Sequence, residues 1–393
     1  MNRQKILPSI AAIRDEMVAL RREIHTYPEI SFEEHRTSDL VARLLESWGY
    51  DVHRGLAKTG VVGTLKKGNG SRIIALRADM DALPICEQTG LEYASLNQGT
   101  MHACGHDGHT ASLLASAKAL ALSHDFNGTL RVIFQPAEEG IGGGGADVMI
   151  REGLFEKFPC DAVYGFHNMP GYPVGQLGFY PGALMASADT VFITFSGKGG
   201  HGAMPHKTPD PIVAASSLVM ALQTIVARNV DPFEPAVVSI GSFRSGDISN
   251  VIPAEAKLDL TVRAMNPEVR KLLNQRIEEL TLEHAKMYGL EASISFEEPY
   301  PVLINSPEQT EFARQVAQDW VGDEGIIDSL KPIMSSEDFS YMLEKVPGCY
   351  LIIGNDGPDN PNHSLHHPQY NFNDDLLPIA ASYWIKLVEA YLR

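Results

Sequence analysis

Apolar residues recur at helical spacing over 6–24, and that period predicts an amphipathic helix. A second helix is predicted from Ser31 to about Trp48, because Ser31 precedes Glu34 by three, as in a capping box, and Gly49 ends the run. Short β-type runs then alternate with helical patterns: strands over 71–77, 129–134 and 162–166, helices over 110–122 and 146–155. Such alternation predicts an α/β domain with a largely parallel sheet. The order changes between 187 and 298, with a strand at 190–196, a helix at 211–228 opened by Pro211, strands at 236–243 and 256–263, a helix at 267–288 and a strand at 291–296. This β-α-β-β-α-β succession is the ferredoxin-like split unit. Helices at 309–320, after Ser336 and from Asp374, with a strand at 350–353, restore the first pattern. The expected architecture is a discontinuous α/β domain, 1–186 with 299–393, carrying an inserted α+β unit over 187–298.

A length of 393 residues suits two or three domains, and 44% apolar with 21% charged residues is the balance of a globular chain. Lys+Arg 32 against Asp+Glu 49 leaves a net charge of −17, with no basic run to offset it. Nucleic acid and anionic membrane surfaces are therefore not expected partners. The start lacks a signal-peptide apolar core, and no stretch approaches the apolar length of a membrane span. Cys86, Cys104, Cys160 and Cys349 are too scattered to staple the chain, which points to a reducing cytoplasm. The sequons at Asn127 and Asn362 are without meaning there.

The 14 histidines matter for where they cluster. Three groups fall at ends of predicted strands or in loops, where open α/β sheets place ligands. Arg77-Ala-Asp-Met-Asp-Ala-Leu-Pro84 precedes Met101-His-Ala-Cys-Gly-His-Asp-Gly-His109, in which Cys104, His106 and His109 offer a thiolate and two imidazoles. The plain alternative is a buried cysteine beside solvated histidines. Phe134-Gln-Pro-Ala-Glu-Glu-Gly140 presents adjacent carboxylates that point different ways, suiting one to metal and the other to general base. Alone, it reads as an acidic turn. His167, in Gly165-Phe-His-Asn168, reads alone as a core histidine. Asn362-His-Ser-Leu-His-His-Pro-Gln369 reads alone as a solvated loop. Together, Cys104, His106, Glu139, His167 and His366 supply five ligands, more than one four-coordinate ion needs, which fits two ions sharing a bridging ligand.

The 142–145 glycine run lacks the Lys-Ser/Thr of a phosphate loop, and no G-x-S-x-G supports a serine nucleophile. In the inserted unit, Ser196-Gly-Lys-Gly-Gly-His201-Gly-Ala-Met-Pro-His206 carries two histidines that are either solvated or able to reach a developing oxyanion. Asn250 and Arg263 flank the central strand pair, and Arg263 suits either a substrate carboxylate or a surface salt bridge.

The motifs RADMDALP, MHACGHDGHTA, FQPAEEG, GFHN, GKGGHGAMPH, SEDF and SLHHP occur in this order. They resemble the hippurate hydrolase and N-acyl-amino-acid amidohydrolase family, the branch with the indole-3-acetyl-amino-acid hydrolases, within the wider aminoacylase and carboxypeptidase G2-like metallopeptidases. The resemblance runs from about Leu20 to the C-terminus. It implies a zinc-peptidase-like α/β catalytic domain with a ferredoxin-like lid and dimerisation domain, in a homodimer or homotetramer. It also implies that Cys104, His106, Glu139, His167 and His366 bind two divalent ions (Mn, Zn, Co or Ni), Cys104 in the bridging place that an Asp holds elsewhere. Glu138 is implied as general base, Asp81 as the carboxylate that orients a ligand or the base, and His201 as a lid residue reaching a partner subunit's site. The chain has Asp79-Met-Asp81 where the wider group has His-x-Asp, which leaves open whether Asp79 touches metal.

The expected activity is hydrolysis of the amide in small N-acyl amino acids, with His206, Asn250 and Arg263 as substrate contacts. The alternatives are a dipeptidase or carboxypeptidase of the same fold, or a non-catalytic binder of acyl-amino acids.

Overall fold

The alternating pattern of the outer segments folds into a seven-stranded mixed sheet with strand order Asp51–Leu56, Gly60–Lys67, Gly128–Gln135, Ile73–Asp79, Ala162–Pro173, Gly348–Asp356, Leu177–Gly178. The four strands from Gly128–Gln135 to Gly348–Asp356 are mutually parallel and nearly continuously apolar, as strands covered on both faces must be. The computed structural model describes residues 6–140, 144–357 and 363–393. It divides into two units, one comprising 1–182, 304–331 and 338–393, the other 183–303 and 332–337.

The sheet is less parallel than the alternation predicts, because Asp51–Leu56 and Gly60–Lys67 form an antiparallel hairpin on one edge. Their short, Gly-interrupted runs carry little periodicity of their own, and pairing with Gly128–Gln135 makes them strands. The helix predicted at 146–155 is two, Gly145–Arg151 and Leu154–Lys157, split where Gly153 takes φ 93°. The helix at 6–24 is likewise two, Pro8–Ala11 and Arg14–Thr26. Helix His106–Leu122 starts earlier than predicted and is buried on almost every side, so its sequence shows no amphipathic stripe.

The capping-box reading of Ser31 and Glu34 does not hold. The helix is His35–Ser47, with no side-chain cap bond at its start. The Ser31 hydroxyl instead donates to Asp81 (2.9 Å), and Glu34 accepts the Phe32 amide (3.0 Å).

In the second unit, strands Ala236–Arg244, Glu255–Ala264, Ala188–Ser196 and Glu291–Tyr300 lie in that spatial order, each antiparallel to its neighbour. Helices Pro211–Asn229 and Pro267–Tyr288 complete the β-α-β-β-α-β succession. Alternate residues of Glu255–Ala264 (Ala256, Leu258, Leu260, Val262, Ala264) pack with Leu218, Leu222, Leu273 and Ile277 in one apolar core. By length and composition, Pro211–Asn229 is apolar enough to cross a membrane, unlike the sequence expectation. Its buried face, Ala214, Ala215, Leu218, Leu222 and Ile225, belongs to this unit's core. Asp210 caps that helix by accepting the Ile212 and Val213 amides. Asp210→Ala is expected to lower stability by about 1 kcal/mol, read as a shift in the urea midpoint at unchanged slope.

Candidate metal centre and active site

The parallel strands carry the candidate ligands to one edge of the first unit's sheet. Asp79 pairs with Gln135 and Arg77 with Gly165, so Asp81, Glu138–Glu139 and His167 all leave the carboxyl end at nearly the same level. Ile73–Asp79 lies between its two sequence successors, which makes this edge a topological switch point, where ligands of such sheets bind. Helix His106–Leu122 begins there, with the partial positive charge of its N-terminus. Gly105 joins Cys104 to His106 at φ 94°, and a Cβ on it would stand 2.3 Å from the Asn168 side-chain oxygen. Only glycine turns the chain this tightly between two candidate ligand residues.

Ligand atoms of Cys104, His106 and His167 lie within 4.8 Å of one another, and so do those of Cys104, Glu139 and His366. The two groups share the cysteine. Cys104 Sγ is 3.3 Å from His167 Nε2, and His366 Nε2 is 2.9 Å from Glu139 Oε1. His366 is drawn in by its own amide, which donates to the Ala103 carbonyl (2.8 Å), and it adopts φ 65°. Glu138 joins from the side, its Oε2 4.0 Å from His106 Nε2. All five sequence-predicted ligands and Glu138 thus converge.

A second layer aims these groups. Asp81 receives His106 Nδ1 (3.2 Å) and the amides of Glu138 (3.0 Å) and Glu139 (2.9 Å). His167 Nδ1 donates to the Asn168 carbonyl (2.7 Å), which turns Nε2 towards Cys104 as a candidate donor atom. Both His109 nitrogens are spent, on Asp79 (2.6 Å) and on the Asn168 side chain (2.7 Å), so His109 supports where the sequence offered a ligand. Asp79 is held between His109 and Arg77 (2.7 Å), and Arg77 also bonds Gln135 and Asp338. The Asn168 amide in turn donates to Tyr370 (2.5 Å). Sequence reading named neither His109, Asn168 nor Tyr370 as support, since nothing in their spacing ties residues 59 and 202 positions apart.

The electrostatics favour a cation. Burial pushes the Cys104 thiol well above its ordinary value, and Glu139, Glu138 and Asp79 push it further. Burial works against charge on His106, yet Asp79 and Asp81 outweigh it and raise the imidazole to about 10. Burial, then His109, lowers His167 to about 3, which keeps the imidazole neutral, the form that can bind a cation. His106 Nε2 is fully buried without a hydrogen-bond partner. An orphaned imidazole nitrogen beside a thiol, two more imidazoles and carboxylates is the donor set of a borderline divalent ion, so these residues fit metal.

The other predicted residues lie in the second unit. His201, in the two-residue strand Gly200–His201, pairs with Val251, and the Gly202 amide donates to the Asn250 carbonyl (2.8 Å), so His201 and Asn250 stand together. His201 and His206 are exposed, and half-buried Arg263 donates to the Val262 carbonyl (3.0 Å). Of the 142–145 glycines, Gly142 and Gly143 lie outside the described residues, as does Asn362 of the second sequon.

The pattern of peptidase family M20/M25/M40 matches residues 75–390. Hippurate hydrolase of Campylobacter jejuni is 46% identical over 99% of this chain and 100% of its own length. N-acetyl-L-cysteine deacetylase of Bacillus subtilis is 39% identical, over 96% of this chain and 88% of its own. Among solved structures, a Bacillus subtilis protein described as a dinuclear metal-binding peptidase of the M20 family superposes with a TM-score of 0.83, at 34% identity and with 97% and 99% of the two chains covered.

Proposed function

The chain belongs to peptidase family M20/M25/M40 as a hydrolase, and from that premise we propose that it cleaves the amide of N-acyl amino acids, of hippurate or N-acetyl type, to a carboxylic acid and a free amino acid. The observation that carries this reading is the pair of three-ligand groups sharing Cys104 with Glu138 alongside. Two divalent ions (Mn, Zn, Co or Ni) held by Cys104, His106, Glu139, His167 and His366 would polarise the amide carbonyl and lower the pKa of water from about 15.7 towards ~7.

Glu138, only 6% exposed, takes the water's proton on its carboxylate and returns it to the departing amine nitrogen. Asp81 has its oxygens engaged by His106, Ser31 and two amides, which suits it to hold ligand and base in place rather than to touch substrate. Asp79 acts one layer back, through His109. His201 steadies the oxyanion, and Asn250, Arg263 and His206 hold the free carboxylate, from this subunit or from a partner. The second unit is the lid and dimerisation unit of a homodimer or homotetramer, a role that exposed apolar residues such as Met220 and Phe233 suit. The four free cysteines suit a reducing cytoplasm.

The test is a panel of hippurate, N-acetyl amino acids and Gly-Gly-type dipeptides, assayed with metal-free protein reconstituted with each ion. Turnover of the acyl-amino acids well above the dipeptides is expected. The reverse ranking would favour the second reading, a dipeptidase or carboxypeptidase, to which the M20 peptidase neighbour lends weight. Chelation is expected to abolish turnover and to lower the melting temperature, since ions that bind only the folded chain stabilise it by about 4 kcal/mol at a thousandfold excess over Kd. Calorimetry with and without added metal checks this.

A further inference from the structure

We propose that Glu34 is a positioning residue for the base: with Asp81, its buried carboxylate clamps three successive amides of the turn that carries Glu138 and Glu139. The Ala137 amide donates to Glu34 (2.9 Å), the Glu138 amide to one Asp81 oxygen (3.0 Å) and the Glu139 amide to the other (2.9 Å). Two carboxylates therefore grip a run of consecutive N–H groups. The inference rests on the reading of Glu138 as base and adds a residue 103 positions away from the turn it holds.

The turn needs holding. Ala137 sits at φ 55°, in the left-handed region that a Cβ disfavours, and it lies between strand Gly128–Gln135 and the two functional glutamates. Such a conformation persists where surrounding bonds over-determine it. The grip is anchored at its other end. The Ala82 amide donates to the Glu29 carbonyl (2.8 Å), Ile30 bridges Ala82, and Ser31 bonds Asp81, so the 29–34 segment is tied to the chain around Asp81. Glu34 is wholly buried and takes hydrogen bonds from the Phe32 amide, the Ala137 amide and the Thr59 hydroxyl (2.6 Å). Burial, then the neighbouring Asp81, raises this carboxyl to about 7. Its task is thus to accept hydrogen bonds, and a neutral acceptor of the same shape can do it. Both backbone donors reach the same oxygen, Oε1, while Thr59 reaches Oε2. A glutamine can keep Oε1 in place, and the Thr59 hydroxyl can rotate from donor to acceptor.

The experiment compares wild type, Glu34→Ala, Glu34→Gln and the double variant Glu34→Ala/Ala137→Gly. It measures kcat, KM, metal content by elemental analysis, and amide hydrogen exchange of the peptide covering 135–140. For Glu34→Ala the expectation is a kcat lower by about 10²-fold, the cost of a roughly 1 Å misplacement of a reacting group. KM and metal content should stay near wild type, and the 137–139 amides should exchange faster. Glu34→Gln should keep near-normal kcat. In the double variant glycine adopts the left-handed turn without steric cost, so at least a tenfold recovery over Glu34→Ala is expected.

Wild-type kcat in Glu34→Ala, unchanged exchange, or a Glu34→Gln variant as slow as the alanine would each overturn the clamp. If Glu34→Ala does not fold, the wild-type protein decides: the 137–139 amides must exchange more slowly than unprotected loop amides, and unprotected rates sink the proposal. If wild type hydrolyses no N-acyl amino acid, the functional reading fails, while the exchange measurement still judges the clamp.

Discussion

Glu138→Gln is expected to lower kcat by about 10²–10⁴ while leaving metal content and melting temperature close to wild type. Glutamine keeps the volume and an acceptor oxygen but cannot take a proton at neutral pH, so the attacking water loses its base. The backbone of residue 138 is fixed independently of its side chain, by the hydrogen bond its N–H donates to Asp81 and by the one the Ala137 N–H donates to Glu34. The turn should therefore survive the change. Its neighbour Glu139, which faces His366 at 2.9 Å, should keep its place among the ligands. Because the base acts on the proton and not on substrate affinity, KM should move far less than kcat. A variant with near-normal kcat would show that Glu138 is not the base. A variant that loses its metal would place Glu138 among the ligands, a role open to it because His106, Glu138 and Glu139 also form a compact group.

Cys104→Ala is expected to have the second largest effect, and a different one: metal content of the dialysed protein should fall from about two ions per chain towards none, with activity following. The cysteine belongs to both three-ligand groups, so its loss weakens both positions together. Removing an outer partner of a ligand costs roughly 10–100-fold in metal affinity, and removing a shared ligand should cost more. The thiol is buried beside Glu139, Glu138 and Asp79, all of which disfavour its thiolate unless a cation stands between them. Cys104→Asp is the informative companion, because a carboxylate can bridge two ions and shifts preference towards harder ones such as Mn²⁺. Full metal content in the alanine variant would remove Cys104 from the ligand set. Loss of a single ion would assign it to one position instead of a bridge.

Other side chains acquired their roles from contacts that sequence spacing does not record. Ser31 and Glu34 are three apart, and local logic pairs them with each other at a helix start. The fold pairs Ser31 with Asp81 and Glu34 with Ala137. His109 stands three residues after His106 on one helix face, which local logic reads as a second ligand. Asp79 and Asn168 capture both its nitrogens first. In each case a local pattern offered a reasonable partner, and a residue distant in sequence took its place.

By itself the sequence determined which chemistry was available: the order of the motifs, the thiolate–imidazole–carboxylate donors, the βαββαβ succession of the middle segment and the alternating elements around it. These are legible because periodicity and residue type act over a few positions. Tertiary structure alone decided which donors meet. Register between parallel strands sets Asp81, Glu138 and His167 at one level, a loop some 200 residues downstream of His167 returns His366 to Glu139, and the hairpin at 51–67 becomes strand only by pairing. Convergence of this kind depends on how the whole sheet stacks its strands, and no window of sequence contains that information.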